Sequence, residues 1–96
     1  MYLPSEVNKL RRAPMTITIY STSICAACHT LTQWLDKINQ PYIKKITDED
    51  PAVMMEFMQV NDGMIGVPFS VIKTDDGVET KISGFDQSAF KKVLGI

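Results

Sequence analysis

Apolar and polar residues alternate from Thr16 to Tyr20, Thr-Ile-Thr-Ile-Tyr, which is the period of a β-strand built from β-branched residues. The pattern changes after Ser21-Thr22-Ser23-Ile24, a polar stretch that supplies capping candidates for a helix. Leu31, Trp34, Leu35 and Ile38 then recur at helical spacing, and Pro41 ends the helix near Asn39-Gln40 because proline disfavours helix in its predecessor. Tyr42 to Ile46 reads as a second strand whose two lysines indicate a solvated face or an edge. Asp50 followed by Pro51 opens a second helix, with Asp48 and Glu49 adding acidic charge at its start and Met54, Phe57 and Met58 marking its buried stripe. A loop over Asn61–Gly66 leads to a third strand, Val67 to Ile72, with Pro68 at its head. Asp76-Gly77 is a hairpin turn, Val78, Thr80 and Ile82 alternate in a fourth strand, and Asp86 caps a last helix that turns Ala89, Phe90, Val93 and Leu94 inward and stops at Gly95. The order β-α-β-α-β-β-α joins a parallel crossover to an antiparallel hairpin. It predicts an α/β domain with one four-stranded mixed sheet and helices on both of its faces.

Length and composition narrow this picture. At 96 residues the chain fits one core, and 45% hydrophobic with 22% charged residues is a globular composition. Residues 1–14 hold Lys9, Arg11 and Arg12 against Glu6, net +2, while residues 15–96 carry net −3. Met15 directly precedes the first strand, so the folded domain is expected to span residues 15–96. The leader is either a short amphipathic helix on Leu3, Val7 and Leu10 or, as expected here, a disordered arm or one added to the native chain. A net charge of −1 leaves no excess of basic residues for phosphates, so nucleic acid is not an expected partner. There is no apolar run long enough for a signal peptide or a membrane span, and two cysteines cannot build a secreted disulfide scaffold. The expectation is a cytoplasmic protein with no membrane partner, in which a close cysteine pair is catalytic or metal-binding.

That pair is Cys25-Ala26-Ala27-Cys28, followed by His29, at the junction of the first strand and first helix. A thiol at a helix N-terminus meets unpaired N–H groups and the positive end of the dipole, which favours the thiolate and makes Cys25 the candidate nucleophile. Cys28, three residues on, lies close enough to attack a mixed disulfide on Cys25 and is the candidate resolving thiol. His29 projects about 100° further round the helix and reads as an exposed residue. One cysteine pair with one histidine is short of a zinc set. Around the pair, Ile24, Val67, Pro68, Gly84 and Phe85 are the candidate substrate contacts. A strand edge at Val67-Pro68 would hold extended backbone beside the nucleophile, and Phe85 is either an apolar contact for a partner or a staple against Phe90. Gly66 and Gly84 are expected to adopt positive φ, Trp34 is expected in the core rather than on a contact surface, and Met54, Met55, Met58 and Met64 are expected to serve packing rather than a metal site.

With these residues in view the sequence resembles the thioredoxin-like fold in its glutaredoxin branch. The C-x-x-C at the first strand–helix junction, Val67-Pro68 opening the third strand and Ser83-Gly84-Phe85-Asp86 opening the last helix carry the resemblance over residues 15–96. Cys-x-x-Cys-His and Ser-Gly-Phe are most similar to the NrdH-type redoxins, which are glutaredoxin-like in sequence and pass electrons to class Ib ribonucleotide reductase. The resemblance implies a nucleophile at Cys25, a resolving cysteine at Cys28, a cis-proline at Pro68, no bound cofactor, thioredoxin reductase as electron donor and ribonucleotide reductase or another disulfide protein as acceptor, with the chain acting as a monomer. Glutathione-using members have a Lys or Arg where Thr22 stands, and its absence removes a charge-assisted contact of about 1.5–3 kcal/mol. A glutathione-dependent glutaredoxin, a zinc or iron–sulfur module and a redox-sensing adaptor remain the alternative readings.

Overall fold

The computed structural model describes residues 15–96. The expectations for the leader, residues 1–14, lie outside the described residues. The elements are β1 (Met15–Ser21), α1 (Ala26–Lys37), β2 (Ile43–Ile46), α2 (Pro51–Val60), β3 (Phe69–Thr74), β4 (Glu79–Ser83) and α3 (Gln87–Leu94). The sheet runs β2-β1-β3-β4, with β1 parallel to β2 and antiparallel to β3, and β3 antiparallel to β4. The mixed sheet and element order expected from the sequence are therefore present, and lysine-bearing β2 is an edge strand.

Strand alternation divides the core between the two faces. Ile17, Ile19, Ile72 and Ile82 meet Leu31 and Leu35 of α1 and Phe90 and Leu94 of α3 on one face. Tyr20, Phe69 and Val71 meet Phe57 of α2 on the other. Trp34 is partly buried against the first of these clusters, with its ring 6.1 Å from that of Phe90.

The buried stripe of α2 differs from the expected one. Phe57 is buried with Val53 and Val60 packed beside it, at positions i, i+4 and i+7 of one helical face, whereas Met58 is 67% exposed and Met54 and Met55 also face outward. A helix advances about 100° per residue, so Met54 and Met58, each one step past an inward valine or phenylalanine, are rotated towards solvent. Two strand starts also move. β3 begins at Phe69 rather than Val67, since Pro68 has no N–H to give a ladder, and β4 begins at Glu79 because Val78 closes the hairpin by accepting from Thr74 N at 2.9 Å. Asp50 and Asp86 cap α2 and α3 as expected, accepting from Ala52 N and Ala89 N, and Gly95 ends α3 at φ 75°.

An ion pair ties α2 to the sheet. Lys45 on β2 places its Nζ 2.7 and 2.9 Å from the Glu56 carboxylate, which also accepts from the Tyr20 hydroxyl. Burial first, then Glu56, pushes the Tyr20 phenol well above its ordinary range. The hydrogen bond from Lys45, then that from Tyr20, holds Glu56 below the ordinary glutamate value of 4.5. The unfolded chain thus takes up a proton at Glu56 more readily than the folded one. This contribution is complete above about pH 4.5 and disappears as pH falls through the lower folded value. Glu56→Gln is expected to lower stability at pH 7 by at most about 1 kcal/mol, because the pair is partly exposed, and urea midpoints of variant and parent should converge as pH falls through the lowered folded value of Glu56.

Candidate active site

The chain leaving β1 is held by its own polar side chains before it enters α1. The Ser21 hydroxyl donates to Thr22 O at 3.0 Å and the Thr22 hydroxyl donates to Ile24 O at 3.0 Å. Ser23 gives both its N–H (2.9 Å) and its hydroxyl (2.6 Å) to Asp48 in the β2–α2 loop. These two bonds, the hydroxyl first, hold the Asp48 carboxyl below its ordinary range. Asp48, expected from the sequence as acidic charge at the start of α2, thus acts as a clamp on the loop that precedes Cys25.

The polar stretch before α1 supplies no cap. The N-cap is Cys25 itself, with extended φ −156° and ψ 102°, and its Sγ accepts from Cys28 N at 3.1 Å. Cys25 and Cys28 are joined in a disulfide with their Cα atoms 5.3 Å apart, within the usual range for such a bridge. The two sulfurs differ in access, because Cys25 is half-buried and Cys28 is 1% exposed in the floor of the first helical turn. His29 is exposed on the next position of the helix. Among the described residues no three His, Cys, Asp or Glu side chains come together as a metal-holding set.

Other sequence-expected residues distribute unevenly around this centre. Ile24 is 92% exposed immediately before Cys25. The Val67–Pro68 peptide is cis, and pairing of Phe69 with Tyr20 sets Pro68 level with Ser21, at the end of the sheet that carries Cys25. Gly84, at φ 76°, donates its N–H to Pro68 O at 2.7 Å and so fastens the β4–α3 loop to the same end. Gly66, by contrast, does not adopt positive φ, and Gly63 and Asp62 earlier in that loop do. Phe85 is half-buried, its ring 5.9 Å from that of Trp34, so it packs into the α1–α3 side of the core. Sequence reasoning missed Met64 and Ile65, 45% and 87% exposed, which add apolar surface to the loop leading into Val67. The signal was present as two large apolar residues inside a glycine-flanked loop, where burial is unusual.

The arrangement of a four-stranded mixed sheet, helices on both faces and a C-x-x-C disulfide capping the first helix decides the fold. It is the thioredoxin fold. Mitochondrial thioredoxin 3 from Saccharomyces cerevisiae superposes with a TM-score of 0.64 at 21% identity, over 94% of this chain and 86% of that one. The glutaredoxin from Methanosarcina mazei Go1 gives 0.65 at 18% identity, over 88% and 89%. The thioredoxin of Fasciola hepatica gives 0.65 at 9% identity, over 94% and 86%. No protein-family model matches the sequence, and no curated protein does. Within the thioredoxin fold the cysteine pair therefore stands on its geometry here: one accessible sulfur receiving a backbone N–H, and a second sulfur buried one turn below it.

Proposed function

We propose that this chain is a thiol–disulfide oxidoreductase of the thioredoxin and glutaredoxin type. The observation that carries the reading is the pairing of an accessible N-cap sulfur with a buried partner. In the reduced protein the Cys28 N–H and the α1 dipole favour the Cys25 thiolate. That thiolate attacks one sulfur of a partner disulfide, forming a mixed disulfide and expelling the other sulfur as a thiolate, which takes a proton from water. Cys28 gives its proton to water, and its thiolate attacks Cys25 Sγ, re-forms the intramolecular disulfide and expels the second partner sulfur as a thiolate, which is protonated by water. Two electrons have passed to the partner, and an external reductant must return them.

Within this class we read the chain as an NrdH-type redoxin, reduced by the flavoprotein thioredoxin reductase with NADPH and donating to ribonucleotide reductase, as a cytoplasmic monomer without a bound cofactor. Two features support that choice over glutathione. Thr22 offers no cation to the carboxylates of glutathione, and Ile24 and Ile65 present apolar surface suited to a protein partner. Among the described residues no helix is long and apolar enough to cross a membrane.

The test supplies the oxidised protein with NADPH and thioredoxin reductase, or with NADPH, glutathione and glutathione reductase. Reduction by the first system at least about 10-fold faster is expected, from the loss of one charge-assisted glutathione contact. Preference for the second would make the chain a glutathione-dependent glutaredoxin. Inactivity in both, with metal bound to the two thiols, would replace the enzyme by a metal-binding module.

A further inference from the structure

The loops around Cys25 combine apolar surface with acidic side chains. Asp48 is locked to Ser23, two residues before the cysteine, and Glu49 and Asp50 follow it into α2. Asp86 opens α3 two residues after Gly84, whose N–H is bonded to Pro68 O. Segments 22–25, 47–50, 64–68 and 84–86 together hold four carboxylates and no Lys or Arg. Lysines lie elsewhere: Lys37, Lys91 and Lys92 stand in the last turns of α1 and α3, Lys44 is exposed on β2, and Lys45, Lys73 and Lys81 are paired with Glu56, Glu79 and Asp62.

Resting on the dithiol reading above, we propose that this rim makes Cys25 select partner proteins whose disulfide is flanked by apolar residues and by Lys or Arg. The apolar flank would cover Ile24 and Ile65, and the cationic one would face Asp48 and its neighbours. Asp48 is already ordered by two hydrogen bonds, so a cation meeting it does not have to fix its geometry. Opposite charge raises the encounter rate and like charge lowers it, over a range of about 10 Å at 0.1 M salt. The same field disfavours anionic disulfides as a class.

The experiment uses the reduced full chain at pH 8 and two synthetic peptides. Each peptide holds one disulfide beside two leucines, flanked by two lysines in one and by two glutamates in the other. Second-order rate constants for oxidation of the protein are expected to favour the lysine peptide about 10-fold at about 20 mM salt and to converge within about 2-fold at 0.5 M. Asp48→Asn and Glu49→Gln should each reduce the low-salt ratio by about 2-fold, while Asp75→Asn, in the hairpin at the far end of the sheet, leaves it unchanged. Equal rates, a preference that ignores salt, or faster reaction of the glutamate peptide would overturn the selection and leave the dithiol chemistry standing. Failure of both peptides to react would remove that chemistry and the selection with it.

Discussion

Cys25→Ser is expected to lose turnover in the coupled reductase assay by at least about 10³-fold, while Cys28→Ser loses turnover yet still attacks. A serine hydroxyl is not ionised near pH 7 and cannot replace the thiolate as nucleophile. Cys28 cannot take over, because it is 1% exposed and lies beneath the entry to α1. In Cys28→Ser the first step proceeds, one equivalent of partner thiol appears, and the reaction stops at a mixed disulfide on Cys25 for want of an internal attacker. Both variants look inactive in a steady-state assay. Intact-mass measurement separates them, since only Cys28→Ser should gain the mass of the captured half. Capture by Cys25→Ser instead would reverse the roles assigned to the two sulfurs.

Phe90→Ala is the substitution expected to harm stability most. Phe90 is fully buried between α3 and the sheet, with Ile17, Ile19, Ile72 and Ile82 in its cluster and the Trp34 ring 6.1 Å away. Truncation removes the ring and leaves a cavity that the rigid sheet cannot close, at a cost of about 3–5 kcal/mol. A domain of this size has about 5–15 kcal/mol in all, and each kcal/mol is worth about 4–8 °C, so a fall in Tm of about 12–40 °C is expected. Ser70→Ala is the opposite case on the same face of the sheet. Among the described residues the buried Ser70 hydroxyl has no hydrogen-bond partner, and removing it should leave Tm unchanged or raise it slightly. Calorimetry of the two variants would check both values.

The comparison of these cores with the sequence shows which signals were readable. β1 and α3 were legible because their apolar residues keep one period throughout and their caps are explicit, with Asp86 before and Gly95 after α3. α2 was legible as an element but not in its facing, since it is apolar nearly all round: Val53, Met54, Met55, Phe57, Met58 and Val60 fit more than one stripe. Only tertiary contact with Tyr20 and Phe69 shows that the valines go inward. The cysteine pair was legible from spacing and position, but its cap was not. A polar side chain among Ser21, Thr22 and Ser23 is the better N-cap by propensity, yet those hydroxyls are committed to the loop and to Asp48. The acidic rim was invisible for a different reason, because residues 48–50 and 86 are brought to one end of the molecule only by the sheet order β2-β1-β3-β4.

Because Cys25 both reacts and caps α1, the helix and the redox centre exchange free energy in both directions. Whatever the first turn contributes to holding negative charge on Sγ, the charged sulfur returns to the first turn as protection against fraying. The backbone amide of Cys28, bonded to that sulfur at 3.1 Å in the disulfide form, is therefore a built-in gauge of the charge on Sγ. Its protection against hydrogen exchange, relative to the intrinsic rate at each pH, should be greatest in the reduced, deprotonated protein and should fall as the thiolate is protonated, with the protection of the β1 and β3 sheet amides unchanged.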